Sequence, residues 1–263
     1  EIISIKGKKD QLNYMWRRDA SQWANSAPIL FPIVGALKND TCVINGKEYH
    51  MTQHGFARHN EFETNQVSDT EVIFSLKSND EIIKQYPFLF ELNVTYRLVE
   101  NKLKCHIEVK NTDHQPIYFQ VGGHPAFACP FMENESSNDY YLEFSENETC
   151  NRKIIDVEKR GMSRVEKPFF DNEKRFFVRQ ELFNTDAIVI KNFKSENIAL
   201  KSLNHDKSIV FHMNGFDHVG LWAAKHVGGL IAIEPWVGHA DYTDFNGEFK
   251  EKESCVELPV GKN

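Results

Sequence analysis

Two runs of strict alternation constrain this chain more than any other feature. In Phe90–Leu98, the residues Phe90, Leu92, Val94, Tyr96 and Leu98 alternate with Glu91, Asn93, Thr95 and Arg97. Beyond Glu100–Asn101, the residues Leu103, Cys105, Ile107 and Val109 alternate with Lys104, His106, Glu108 and Lys110. Successive side chains on a strand point to opposite faces, so a period of two gives one apolar and one wet face. Two such runs across a short polar turn predict an antiparallel hairpin. Thr70–Leu76, Pro116–Val121, Ala187–Phe193, Asn197–Lys201, Ser208–Met213, Val219–Ala223 and Leu230–Ile233 also read as strands, as does Glu1–Lys6. Most are short, β-branched or aromatic, and bounded by Asn, Asp or Gly. Helical patterning is confined to Asp80–Tyr86, stopped by Pro87, and to Gln180–Asn184. Many short strands with very little helix predict an all-β antiparallel sandwich or barrel. No repeat or linker divides the chain, so residues 1–263 are expected to form one domain, with the charged stretch Glu133–Arg179 irregular and partly exposed.

The balance of 31 Lys+Arg against 38 Asp+Glu gives a net charge of −7 with no basic stripe. Such a surface suits neither nucleic acid nor anionic membranes. No segment approaches the roughly 18 apolar residues of a spanning helix. No signal peptide is visible, although a chain that begins at Glu1 inside a strand-like segment is expected to lack its natural N-terminus. The five cysteines, Cys42, Cys105, Cys129, Cys150 and Cys255, are odd in number and never form a CxxC pair. Free thiols and a cytoplasmic location are expected, with no disulfide framework or zinc site of the cysteine type.

Three segments combine glycines, aromatics and ionisable groups. The first is Gln53-His54-Gly55-Phe56-Ala57-Arg58-His59. Gly55 lets the backbone bend so that the His54 ring can enter a cleft, and Arg58 offers a planar fork for hydroxyls or phosphate oxygens. The ordinary alternative is a loop with a surface arginine and a hydrogen-bonded histidine. His50 and His54 have the i, i+4 spacing of helical metal ligands, but helical periodicity and an HExxH motif are both missing, so no metal is expected. The second segment is Val121-Gly122-Gly123-His124-Pro125-Ala126-Phe127. Its glycines allow φ > 0 or a bulge at a strand end, which would hold His124 on rigid backbone, and histidine exchanges protons near neutral pH. The alternative is a glycine turn with an incidental His. The third is Leu230-Ile231-Ala232-Ile233-Glu234-Pro235-Trp236-Val237-Gly238. A carboxylate closing an apolar run is costly unless paired or used, and desolvation raises its pKa towards that of a general base. Pro235 is expected to end the strand at once, leaving Trp236 as a flat face for a sugar. The alternative is that Glu234 is simply the first solvated residue. The histidines at 205, 212, 218, 226 and 239 are scattered and read as surface or core.

Together these segments resemble the galactose mutarotase-like superfamily, in its aldose 1-epimerase-related, LacX-like branch. The resemblance runs from Trp16 and Pro28–Gly35 through His54–Arg58, Tyr86-Pro87-Phe88, Gly123–Phe127 and Gly220-Leu221-Trp222 to Glu234-Pro235-Trp236. It implies an antiparallel β-supersandwich with a sugar cleft. It also implies cofactor-independent and metal-free interconversion of sugar anomers. By resemblance, Glu234 is the base at the anomeric hydroxyl, His124 the acid at the ring oxygen, and His54 a second histidine beside that oxygen. Trp222 and Trp236 would line the sugar site, and Asp186 is the candidate to grip hydroxyls. Arg58 matches one arginine of the phosphate clamp in hexose-6-phosphate epimerases. The second clamp arginine has no counterpart, because Ser26-Ala27-Pro28 stands in its place. A free hexose is therefore expected. A hexose 6-phosphate, or sugar binding without turnover, are the alternatives.

Overall fold

The alternating runs form half of a four-stranded antiparallel sheet: Glu63–Ser68, Glu71–Lys77, Phe90–Val99 and Lys102–Asn111, in that order. The structure is a computed structural model that describes residues 1–224 and 229–263, so the expectation for His226 lies outside the described residues. Leu92 faces Val109 and Leu98 faces Leu103 across a two-residue turn in which Glu100 takes φ 56°. The apolar face is buried at Phe90, Leu92 and Val94 but reaches solvent near the turn, where Leu98 is 54% exposed.

A ten-stranded antiparallel sheet carries most of the other strands, with two two-stranded sheets beside it. Its path runs Ile29–Leu30, Val121–Gly123, Gly229–Val237, His218–Trp222, Ile188–Lys191, Tyr140–Asp156, Asn197–Ser202 and Ser208–His212. Ala126–Cys129 also pairs with Gly229–Val237, and Gly161–Phe177 with Tyr140–Asp156. One apolar core, including Phe127, Tyr140, Phe144, Ile190 and Ile233, packs on this large sheet. A second, including Phe31, Tyr86, Phe90, Phe119 and Phe249, joins the smaller sheet to the segment 31–57. The architecture is the strongly curled, nearly all-β one expected, with 49% strand and 7% helix.

Four local expectations are corrected. Glu133–Arg179 is largely a long hairpin of two 17-residue strands. Register shifts between Glu143 and Ile155 break the alternation, which hides the strands from a period-two reading. Glu1–Lys6 is not a strand; only Lys6 bridges, to Asn13, while the Glu1 carboxylate accepts the Ser26 and Ala27 N–H groups at 2.8 Å each. Pro116–Val121 splits into Ile117–Phe119 and Val121–Gly123, which enter different sheets. Between them Gln120 is fully buried, donating its N–H to the Pro32 carbonyl at 2.8 Å and its amide to the Glu253 carbonyl at 3.1 Å. Finally, the strand containing Glu234 does not stop at Pro235 but runs to Val237. Pro235 forfeits one ladder donor, and Trp236 and Val237 find Gly122 and Val121 on the next strand.

Candidate active site

His124 sits in the two-residue link between Val121–Gly123 and Ala126–Cys129. The link is pinned on both sides. The His124 N–H donates to the Pro28 carbonyl at 3.0 Å, and the Pro125 carbonyl accepts the Ile233 N–H at 3.2 Å. That second bond brings the link alongside the strand that carries Glu234. The His124 Nε2 consequently lies 3.2 Å from the Glu234 Oε2, with Glu234 1% exposed. The contact lacks hydrogen-bond alignment, and Oε2 has no hydrogen-bond partner among the described residues. A buried carboxylate oxygen left in that state is expensive, and it is placed to take a proton from a guest.

The glycines around this pair serve a purpose other than the expected one. Neither Gly122 nor Gly123 has positive φ. Gly122 and Gly220 instead make room for the Trp236 indole. A Cβ at Gly220 would stand 2.6 Å from its ring, and one at Gly122 2.8 Å from it. Trp236 is therefore 5% exposed and packed with Leu30, Val34 and Tyr242, forming a wall rather than an open platform. A true left-handed requirement occurs at His54 and Gly55, with φ 67° and 70°. A Cβ on residue 55 would also meet the Phe31 carbonyl oxygen at 2.3 Å, so only glycine fits there.

That bend delivers His54 to the site. Its Nδ1 accepts the Gly35 N–H at 3.1 Å, so in the neutral ring Nε2 carries the hydrogen. The His54 and His124 rings meet edge to face with centroids 5.8 Å apart. Trp23 lies over His124 at 4.7 Å, and Trp222 meets its edge at 5.5 Å. Trp23 was not singled out from the sequence. It sits in an irregular segment with no motif around it, and only the fold brings it here.

One cavity of about 510 Å³ is lined by His124, Glu234, His54, Arg58, Trp222, Trp236 and Asp186, which are all of the residues singled out above. That volume suits a small ligand. Asp186 reaches it through an unusual backbone, φ 86°, which non-glycine residues seldom adopt and which tends to mark functional positions. Arg160, which the sequence reading passed over, also lines the cavity, but both guanidinium arms hold Asp40, at 3.0 and 3.1 Å. The Arg58 Nε donates to His59 at 3.2 Å, which engages one of its donors only.

The electrostatics follow from burial. Desolvation lifts the Glu234 carboxyl well above its ordinary range; Asp186 adds to the rise, and the neighbouring Trp236 indole N–H works against it. Desolvation also pushes His124 down to about 3, and puts His54 well below its usual value. Asp186 is solvent-exposed at the cavity, yet the protein crowding it raises its carboxyl too. For the coupled Glu234–His124 pair, the direction is a single shared proton over a wide pH range. A dry site tolerates the neutral pair or the close ion pair, but not one isolated charge.

The aldose 1-epimerase family model matches residues 1–256. The chain belongs to the aldose 1-epimerase family. It is 36% identical over 252 residues to the plasmid-encoded protein LacX of Lactococcus lactis subsp. lactis, covering 90% of this chain and 82% of that protein. The galactose mutarotase related enzyme from Lactobacillus acidophilus superposes with a TM-score of 0.94 at 31% identity, covering 100% of this chain and 87% of that one. A galactose mutarotase-like protein from Lactobacillus casei gives 0.91 at 30% identity, covering 99% and 90%. Family and fold together make this protein a mutarotase-like isomerase, for which a small sugar is the natural substrate class. No helix among the described residues is long and apolar enough to cross a membrane.

Proposed function

We propose that the protein interconverts the α and β anomers of a free hexose by acid–base ring opening, without a cofactor. The observation that carries this reading is the buried Glu234–His124 contact of 3.2 Å inside a cavity of sugar size. One shared proton is enough for the whole cycle. Burial favours carboxylic acid with neutral imidazole at rest, and the cycle starts from the other tautomer, imidazolium–carboxylate. Glu234 takes the proton of the anomeric hydroxyl, the C1–O5 bond breaks, and O5 takes the proton from His124. The pair is now carboxylic acid and neutral imidazole, which is its other one-proton tautomer. The open-chain aldehyde turns about C1–C2, O5 closes on the opposite face, and both protons return. His54, with its Nε2–H set by Gly35, donates near the ring oxygen. Arg58 and Asp186 hold hydroxyls, and Trp222 with Trp236 forms the apolar walls.

Polarimetry on freshly dissolved α-anomers of free and 6-phosphorylated hexoses tests the reading. Saturable acceleration on at least one free hexose is expected; wild-type rates equal to buffer across the panel would leave sugar binding without turnover. A 6-phosphate reading draws on Arg160 joining Arg58 at the cavity. Because Asp40 already neutralises Arg160, free hexoses should turn over faster than their phosphates.

The pH dependence follows from the shared proton. Below about 3, His124 takes a second proton and Glu234 can no longer act as a base. Above the raised value of Glu234 the pair loses its only proton and no acid remains. The enzymatic rate, corrected for buffer, should be level across the interval and fall on both sides. An alkaline limb missing up to the limit of protein stability would contradict the shared-proton pair.

A further inference from the structure

A second group of ionisable residues lies away from the sugar cavity. His218 opens the strand His218–Trp222, His239 follows the strand Gly229–Val237 by two residues, and Glu253 comes from the C-terminal segment. One ligand atom from each falls within 4.8 Å of the others. His218 is fully buried and His239 2% exposed.

The hydrogen bonding is what makes the group unusual. The His218 Nδ1 is 2.8 Å from the Asp217 carboxylate, which is itself held by the Ser254 hydroxyl at 2.8 Å. The His239 Nδ1 is 2.6 Å from the Ala240 carbonyl oxygen. Both acceptors require a hydrogen on Nδ1, so in each neutral ring Nε2 carries the lone pair. Both Nε2 atoms are buried and have no hydrogen-bond partner among the described residues. The His239 Nε2 also stands 3.4 Å from the Glu253 Oε2. Two buried, unpartnered imidazole nitrogens and a partly exposed carboxylate therefore lie close together. Carboxylate or carbonyl acceptors behind the far nitrogens are the arrangement that orients histidines towards a metal.

We propose that His218, His239 and Glu253 form a binding site for a divalent transition-metal ion of the zinc class. Two imidazoles and one carboxylate suit that class, and tetrahedral coordination at about 2.0–2.1 Å places neighbouring ligand atoms roughly 3.4 Å apart. The His239–Glu253 edge already has that length, and the three ligand atoms lie within 4.8 Å of one another. The surroundings hold the carboxylate in place. Lys191 donates to its Oε1 at 2.5 Å, and the Tyr242 hydroxyl donates to Oε2 at 2.5 Å, which leaves a lone pair on Oε2 for the ion. Lys191 and Lys153 oppose a cation, but Glu253, Asp217 and Glu166 outnumber them. Glu253 also lines an open depression of about 720 Å³ with Lys153 and Lys191, which gives an ion a route in. The site would brace the turn after Val237, whose Ala240 lines the sugar cavity.

Full-length protein stripped with a chelator and titrated with Co²⁺ tests this directly. One equivalent should develop the visible absorption of tetrahedral Co²⁺ and lose it on adding Zn²⁺. His218→Gln and His239→Gln should abolish the band, and Asp217→Asn should weaken Co²⁺ binding about 10- to 100-fold. No saturable band in the wild type, or the same band in the histidine variants, would overturn the site. Should those variants fold poorly, anomalous diffraction from Zn²⁺-soaked wild-type crystals decides. A peak between the three side chains supports the site, and a peak elsewhere or none refutes it.

Discussion

Glu234→Gln should reduce anomerase activity by about 10²–10⁴-fold, the usual contribution of one acid–base group. Gln keeps the shape of the side chain but cannot accept the anomeric proton, so the loss should appear in kcat with KM nearly unchanged. His124→Asn should cost a similar factor, because O5 then lacks its proton donor. The double variant should be little worse than either alone, since one shared proton serves both residues. Stability should move in the opposite direction. The folded carboxyl has a raised pKa, so its protonated form favours folding. That benefit is complete below the unfolded value of about 4.5 and is lost as pH rises through the folded value. Near neutrality the wild type therefore carries a cost that Gln removes. Thermal melts at pH 7 should place Glu234→Gln at or above the wild type, with the gap closing as the pH falls. Unchanged anomerisation in both single variants would sink the acid–base assignment, whatever the melts show.

The roles of Glu234, His124 and His54, and the choice of Trp222 and Asp186, are legible through the family resemblance, and only the first three also stand out locally. Glu234 closes a run of apolar residues, and His54 and His124 adjoin glycines, so each breaks a local pattern in a way that shows along the chain. Trp23 and Arg160 break no pattern. They reach the cavity from an irregular segment and from a hairpin turn, and their role arises only from contacts far away in sequence. The hairpin itself, Tyr140–Phe177, was hidden by its bulges, since each register shift moves the apolar positions to the other face. Gly122 stands out in the sequence but for a different reason from the one expected, and Gly220 stands out only as part of a family motif. Room for an indole on a neighbouring strand leaves the same residue in the sequence as a positive φ would. His218 and His239 are 21 positions apart and follow no spacing rule, so only the packing of strand against turn brings their nitrogens together.

The second large effect is expected at a residue outside the cavity. Lys252 and Asp241 form an ion pair with both side chains 3% exposed. Asp241 also accepts the Lys38 N–H through its other oxygen at 3.0 Å. The backbone of the same residue joins two walls of the cavity: its N–H donates to the Ala36 carbonyl at 2.9 Å, and its carbonyl accepts the Met162 N–H at 2.7 Å. Lys252→Met would leave the aspartate buried with its charge uncompensated. Breaking one side of such a pair costs about 3–5 kcal/mol, and for a chain of this size that lowers Tm by roughly 10 °C. Removing both charges is a different matter. Lys252→Met with Asp241→Leu withdraws the buried charge as well, so the double variant should recover much of the loss, short of what the orphaned Lys38 N–H costs. A double-mutant cycle by thermal and denaturant unfolding separates these terms. The single variant should also lose activity, because a displaced Asp241 shifts Ala36 and Met162 at the cavity, and the double variant should regain part of it. A cost below about 1 kcal/mol for Lys252→Met would place the pair in the class of exposed ion pairs. The link from this pair to the sugar site would then fall with it.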